Sequence, residues 1–413
     1  MLFSIAWKSL INRKVSVVLT LASLTLSVIV VVGVEHIRSQ ARASFDRTVS
    51  GVDLIVGART SQINLLLYSV FRIGDATNGI SSESYELIAG DPRVAWTIPL
   101  SLGDSHRGYR VLGTDSNFFE HFRFAQQSGL EFEQGHPFSD EFETVLGYEV
   151  ARQLGYKLGD SITLSHGLGE ISFSNHESTP FIVSGILEAT GTPVDQTLHV
   201  TLEGLDAAHG LGPHEDSHHH DEETNEEHHI SSDEITAFML GLHSRMSVFE
   251  IQGAINEYAE EPLLAILPGV ALAQLWEVMG SVESILALIS ALVMLASLLG
   301  IATMLFASMR ERQREIFLFR SVGMHSSSIF FLIEIEAILI TTLGIGLGLG
   351  FVWITLSAGQ SYLSQEYGLM IDTLPLSPGI AAYLGVILFA SIILSLLPGL
   401  AAYRSSLGSK LKF

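Results

Sequence analysis

Four long, almost uncharged runs decide what this chain can fold into. They cover 15–34, about 282–309, about 329–356 and about 380–402. Each supplies the roughly 20 apolar residues that a helix needs to cross the hydrocarbon core of a bilayer. Inside lipid a backbone must satisfy its own hydrogen bonds, so such runs are helices. The alternative for each is a buried core helix, which length and lack of charge oppose for the first, second and fourth runs. The first run, VSVVLTLASLTLSVIVVVGV, follows a basic start as a signal peptide would. No small-x-small cleavage site follows it and it is long enough to span, so it reads as an uncleaved anchor.

Between the first and second runs the sequence is mixed and water-soluble. A chain with 47% hydrophobic and only 16% charged residues is too apolar for an ordinary soluble enzyme, and the uneven spread means a membrane anchor plus a folded domain. The net charge of −22 comes mostly from this middle segment. No basic stripe suited to nucleic acid is present. The absence of cysteine excludes disulfides, thiolate metal sites and cysteine nucleophiles.

Cationic residues set the orientation. Lys8, Arg13 and Lys14 precede the first run; Arg310, Arg312, Arg314 and Arg320 separate the second from the third; Arg404, Lys410 and Lys412 follow the fourth. The segment Ser357–Gly379 carries no lysine or arginine. Both termini and the 2–3 loop are therefore expected in the cytoplasm. The expected division is a cytoplasmic N-terminal helix (1–14), a first span (15–34), an extracytoplasmic domain with stalks (35–280) and a second span (281–309). A cytoplasmic loop (310–327), a third span (328–357), an outer loop (358–379), a fourth span (380–402) and a cytoplasmic tail (403–413) complete it.

Within the domain, period and punctuation predict strands at 52–57, 96–102, 109–114, 180–189, 198–205, 235–242 and 263–269. Helices are expected at 61–70 and near 248–258, and another within 143–164 with a glycine stop at Gly155. The β-α-β pattern at both ends predicts an α/β subdomain completed by the two flanks, with a β-rich insert between them. The fold class is an integral membrane α-helical protein with four transmembrane helices. The large α/β plus β-rich domain is inserted between helices 1 and 2.

Several phrases in order resemble the FtsX/MacB-type permeases, the mechanotransmission class of ABC transporters, over essentially the whole length. They are AWKSLINRKVSVVLT, VDLIVGARTSQINLLLYSV, LGYEVARQLGYKLGD, ATGTPVDQTLHVTL, SMRERQREIFLFRSVGMHSSSIFFLIEIEAILITTLGIGLGLG and PGLAAYRSSL. The resemblance implies an inner-membrane, non-catalytic permease subunit with its large domain in the periplasm. It also implies a homodimer and a separate cytoplasmic ATPase dimer that holds the ATP and magnesium. A lipoprotein, lipid, peptide or drug, or a periplasmic or outer-membrane partner, would be acted on outside. The chain agrees in having no lysine after a glycine, so it has no P-loop of its own.

The resemblance makes Arg310, Arg312, Arg314, Glu315, Ile316, Phe317, Phe319, Arg320 and Gly323 the ATPase-coupling residues. Charge alternates there with the apolar IFLF (Ile316–Phe319), which suits docking in a partner's cleft. The alternative is an anchor lying on lipid headgroups. Glu334 and Glu336 fall inside the third run, where a carboxylate is costly. They read either as a charge pair linking the 2–3 loop to helix motion or as interfacial residues pairing with an arginine such as Arg320. Gly344, Gly346, Gly348 and Gly350 form two overlapping small-xxx-small patterns suited to close helix contact.

The tract HGLGPHEDSHHHDEETNEEHH (209–229) departs from the family pattern. His214, Glu215 and His218 have zincin spacing, but Pro213, acidic neighbours and the lack of an apolar anchor oppose a protease. Loose binding of Zn²⁺, Cu²⁺ or Ni²⁺ by His214, His218, His219, His220, His228 and His229 fits their chemistry, and a metal-linked permease or sensor is the alternative function. A solvated low-complexity insert with no role is the other reading. The remaining dispersed histidines, His199 among them, are expected to be structural.

Overall fold

The computed structural model describes residues 2–48, 50–125, 127–166, 180–208, 234–311, 325–367 and 374–408. The chain divides into two compact units. One comprises Met1–Ala41, Met279–Ser361 and Ile371–Phe413, and the other Arg42–Val278 with Tyr362–Met370.

The first unit is a helical bundle. The amphipathic α1 (Leu2–Asn12) is separated at Arg13 from α2 (Lys14–Thr48). The long helices 268–311, 326–367 and 378–408 follow the large domain in chain order. Among the described residues four helices are long and apolar enough to cross a membrane, over Lys14–Phe45, Pro268–Ala307, Ser327–Gln360 and Pro378–Ala401. Their contact faces bury Leu24, Val28, Val32, Leu298, Ile301, Leu305, Ile333, Ile340, Ile380 and Ile387 in one cluster. Outward positions such as Leu19, Leu292, Phe351 and Phe389 stay exposed, as a lipid-facing surface requires.

The second unit is built on a mixed sheet. Its main strands are β1 (Leu54–Ala58), β2 (Val94–His106), β3 (Tyr109–Thr114), β4 (Phe132–Gly135), β5 (Glu143–Leu146), β6 (Phe181–Leu187), β7 (Thr197–Thr201), β8 (Ala237–Leu242) and β9 (Leu263–Ile266). They lie in the order β9-β1-β8-β2-β3-β7-β5-β6-β4. The β3–β7 and β5–β6 pairs are parallel. Strands from both flanks of the domain sequence meet at one end, where Ile55 faces both Met239 and Ile266 across antiparallel pairs.

Every residue of β1 is buried because helices cover both of its faces. Leu65, Leu66 and Tyr68 of α3 (Gln62–Phe71) share a core with Ile55. Leu54 and Val56 pack instead with Ile88 of α4 (Ser82–Ala89) and with Val248, Ile251 and Ile255 of a helix over 248–256. Gly57 is required at this seam, since a β-carbon there would meet Leu65 Cδ1 at 2.5 Å and Tyr68 Oη at 2.6 Å. β2 joins the two halves of the sheet. It pairs with β8 up to Leu100 and with β3 from Ser101 onward.

Beside the far half of the sheet run α5 (Asn117–His121), α6 (Tyr148–Leu154) and α7 (Leu202–Ala208), whereas the helix packed over β1 is α8 (Val248–Asn256). Gly155 ends α6 in the left-handed conformation, with φ 72°, where a glycine stop is expected. The expected strand over 198–205 is shorter. Thr201 Oγ1 accepts the amide of Gly204 at 3.0 Å, which caps α7 and ends β7. The phrase ATGTPVDQT is a turn tied by Asp195. Its carboxylate accepts the amides of Thr190 and Gly191 at 2.8 and 2.7 Å and the Thr190 hydroxyl at 2.8 Å.

The remaining bundle helices are α9 (Pro268–Glu311), α10 (Ser326–Tyr367) and α11 (Pro378–Gly408). α10 runs ten residues beyond the expected end at 357, into the expected outer loop. No proline occurs there before Pro375, so nothing stops the helix locally. α11 likewise extends to Gly408, into the expected tail.

Candidate functional site

Glu334 and Glu336 are both buried on α10, at 7% and 2% exposure. Arg310 sits in the last turn of α9. Arg312, Arg314, Glu315, Ile316, Phe317, Phe319, Arg320 and Gly323 lie outside the described residues, as do His214, His218, His219, His220, His228 and His229.

Hydroxyls and glycines bind the bundle. On α2, Ser23 and Ser27 sit one turn apart and meet Ser297 of α9, with Oγ–Oγ distances of 3.1 and 2.5 Å. Further along the same pair, Arg38 reaches Glu283 at 3.2 Å while also holding Glu35 at 3.0 Å. α2 meets α10 where Gly344 and Gly348 receive Leu24 and Val28. Among the described residues nothing comes within contact distance of Gly346 and Gly350, so one of the two expected small-residue patterns is used there. Between α2 and α9 a groove of about 470 Å³ is lined by Arg13, Ser16, Thr20, Ser23 and Thr303.

The α10–α11 seam carries the intramembrane carboxyl. Thr341 Oγ1 and Ser391 Oγ lie 2.6 Å apart, and one turn further along α11 Ser395 Oγ lies 2.6 Å from Glu334 Oε2. Gly399 continues this row against Phe330. Ser391, Ser395 and Gly399 recur at i, i+4 and i+8, a single helix face. The expected arginine partner, Arg320, is outside the described residues, and among the described ones Glu334 Oε1 has no hydrogen-bond partner. Sequence reasoning named the glutamates and glycines but missed the serines. Their signal is the four-residue spacing of Ser23/Ser27 and Ser391/Ser395 within apolar helices.

In the large domain His199 is fully buried on β7, with Nδ1 3.3 Å from the carbonyl of Val145 and its ring against Phe118 and Phe119. Burial, reinforced by the Arg72 charge, pushes its pKa down to about 3, so it is neutral and structural, as expected of a lone histidine. Asp115 accepts from Asn117 Nδ2 at 3.1 Å, and burial pushes its pKa up to about 6. Among the described residues no group of three or more His, Asp or Glu side chains is placed to hold a metal ion.

A family model described as the MacB-like periplasmic core domain matches residues 17–255, and one described as the FtsX-like permease C-terminal matches 287–407. The crystal structure of the periplasmic region of MacB from Actinobacillus actinomycetemcomitans is similar over 55% of this chain and 94% of its own, at 10% identity and a TM-score of 0.36. The extracellular domain of the ABC-type transporter YknZ from Gram-positive bacteria is similar over 52% and 98%, at 11% identity and a TM-score of 0.32. No curated protein sequence matches the chain. The two family models follow one another along the chain and between them cover most of it, so it belongs to the FtsX/MacB-type ABC transporter permeases.

Proposed function

We propose that this permease transmits ATP-driven motion from a separate cytoplasmic ATPase dimer to its large domain on the far side of the inner membrane. Two copies of the chain form the membrane part. Both termini and the 310–327 loop face the cytoplasm, and ATP and magnesium belong to the partner. The moving domain acts on a lipoprotein, lipid, peptide or drug, or on a periplasmic or outer-membrane partner, and this chain contributes no catalytic group.

The observation that carries the reading is α9. It begins two residues after β9 of the domain and continues unbroken for 44 residues to Glu311, at the edge of the arginine-rich segment. At 1.5 Å per residue that is a rod of about 66 Å. Docking through the apolar IFLF face would apply force at one end of this rod.

The test is co-purification of the full-length chain with its ATPase. Wild type is expected to retain the ATPase, and the double substitution Phe317→Asp, Phe319→Asp to lose it while still inserting in the membrane. Unchanged association would remove the docking assignment.

A second reading, favoured by the density of histidines in 209–229, adds loose zinc binding by His214, His218, His219, His220, His228 and His229. It makes the permease metal-linked without altering its motor.

A further inference from the structure

Glu334 is a carboxyl group with almost nothing to hold a negative charge. The residue is 7% exposed, and among the described residues its one polar contact is Ser395 Oγ, 2.6 Å from Oε2. Oε1 is buried and has no hydrogen-bond partner among the described residues. No lysine, arginine or histidine among the described residues makes an ion pair with it. A buried carboxylate is tolerated where several donors or a cation face its two oxygens.

The single available donor is also shared. Ser395 Oγ lies 2.8 Å from the carbonyl of Ile392 as well, and a hydroxyl has one hydrogen to give. Were Glu334 ionised, that one hydrogen would be the only one offered to either carboxylate oxygen, and donating it would abandon Ile392. With a proton on Oε2 the accounting closes. Oε2–H donates to Ser395 Oγ, Ser395 donates to the carbonyl of Ile392, and every hydrogen finds an acceptor. The 2.6 Å separation suits an O–H···O bond. Oε1 is then a neutral carbonyl oxygen, whose lack of a partner costs far less than that of a charged one.

The surroundings agree. Oε1 faces Gly399 on α11, where a β-carbon would come within 3.3 Å of Oε1 and 3.0 Å of the Phe330 ring. The nearest titratable residue on α10 is Glu336, two positions on and so roughly 200° round the helix. On α11 the facing residues are Ser391, Ser395 and Gly399, and the next charged residue, Arg404, is exposed beyond them.

We infer that Glu334 is a proton-binding site in the bundle, carrying its hydrogen on Oε2 and giving it to Ser395 Oγ as a link between α10 and α11. This rests on the bundle alone and stands apart from ATPase docking.

The test is infrared spectroscopy of the full-length protein in lipid nanodiscs at neutral pH, as the difference between wild type and Glu334→Gln. The expected result is loss of a carbonyl band of a protonated carboxylic acid in the variant. A difference confined to the carboxylate stretching bands overturns the inference. Should Glu334→Gln fail to insert, Ser395→Ala decides in the same way: a shifted acid carbonyl band supports the protonated group, and shifted carboxylate bands oppose it.

Discussion

Gly348 of α10 lies so close to Val28 of α2 that a β-carbon on it would stand 2.6 Å from Val28 Cγ1 and 3.3 Å from the backbone carbonyl of Thr25. The backbone oxygen cannot turn aside as a side chain would, so the helices must part if this position is filled. Gly348→Val is expected to destabilise the bundle by about 1–3 kcal/mol, the usual cost of overpacking. Gly346→Val, facing open space, is expected to unfold like wild type. Thermal unfolding of the two variants in nanodiscs checks the contrast; equal loss in both would contradict the assigned seam.

The serine junction invites a chemical test because the chain contains no cysteine. Ser27 and Ser297 hydroxyls are 2.5 Å apart, within reach of the short sulfur–sulfur bond. Ser27→Cys with Ser297→Cys is expected to lose both free thiols to maleimide labelling after mild oxidation. The pair Ser27→Cys with Ser391→Cys, on a helix joined to α2 by no hydroxyl contact among the described residues, is expected to keep both.

Asp115 gives the large domain a specific pH response. Burial raises its pKa from 3.8 to about 6 in the fold, against the opposing amides of Asn117 and Phe118. A carboxyl with a raised folded pKa binds more protons folded than unfolded, so stability falls as pH rises between those values. Asp115→Asn removes that slope. Allowing for partial exposure, the variant is expected to gain about 1–2 kcal/mol at pH 7 and nothing below pH 4. Melting temperatures of both proteins across this range provide the check, and parallel curves would show that Asp115 titrates normally.

Orientation can be read from two insertion points. Reporters fused within the chain at Arg314 and at His219 are expected in opposite compartments. The same compartment for both would undo the proposed topology.

The histidine tract is tested by removing Pro213–His229. Zinc binding to the purified full-length chain, measured by equilibrium dialysis, is expected to fall sharply while ATPase association persists. Zinc binding left intact would move the metal reading away from this tract.

Much of this architecture was legible because it is written in local patterns. The apolar runs are long, LIVGA is buried on both faces and so reads as a continuous strand, and Gly155 stops α6 as a left-handed cap. The end of α10 was not legible. Nothing near 357 breaks a helix, and polarity alone does not mark where hydrogen bonding stops. The α10–α11 seam was half legible. Glu334 stands out in an apolar run, but Ser395 is an ordinary residue until folding brings it 61 positions back to that carboxyl.

α9 has no proline after Pro268 at its start, and its helical hydrogen bonding is continuous to Glu311. Such a spindle can tilt, turn about its own axis or bow slightly, but it cannot stretch. Within the bundle, a turn of this spindle would carry Glu283 and Ser297 through a common arc, so the contacts that Arg38 and Ser27 make with it are geared together by the peptide backbone itself.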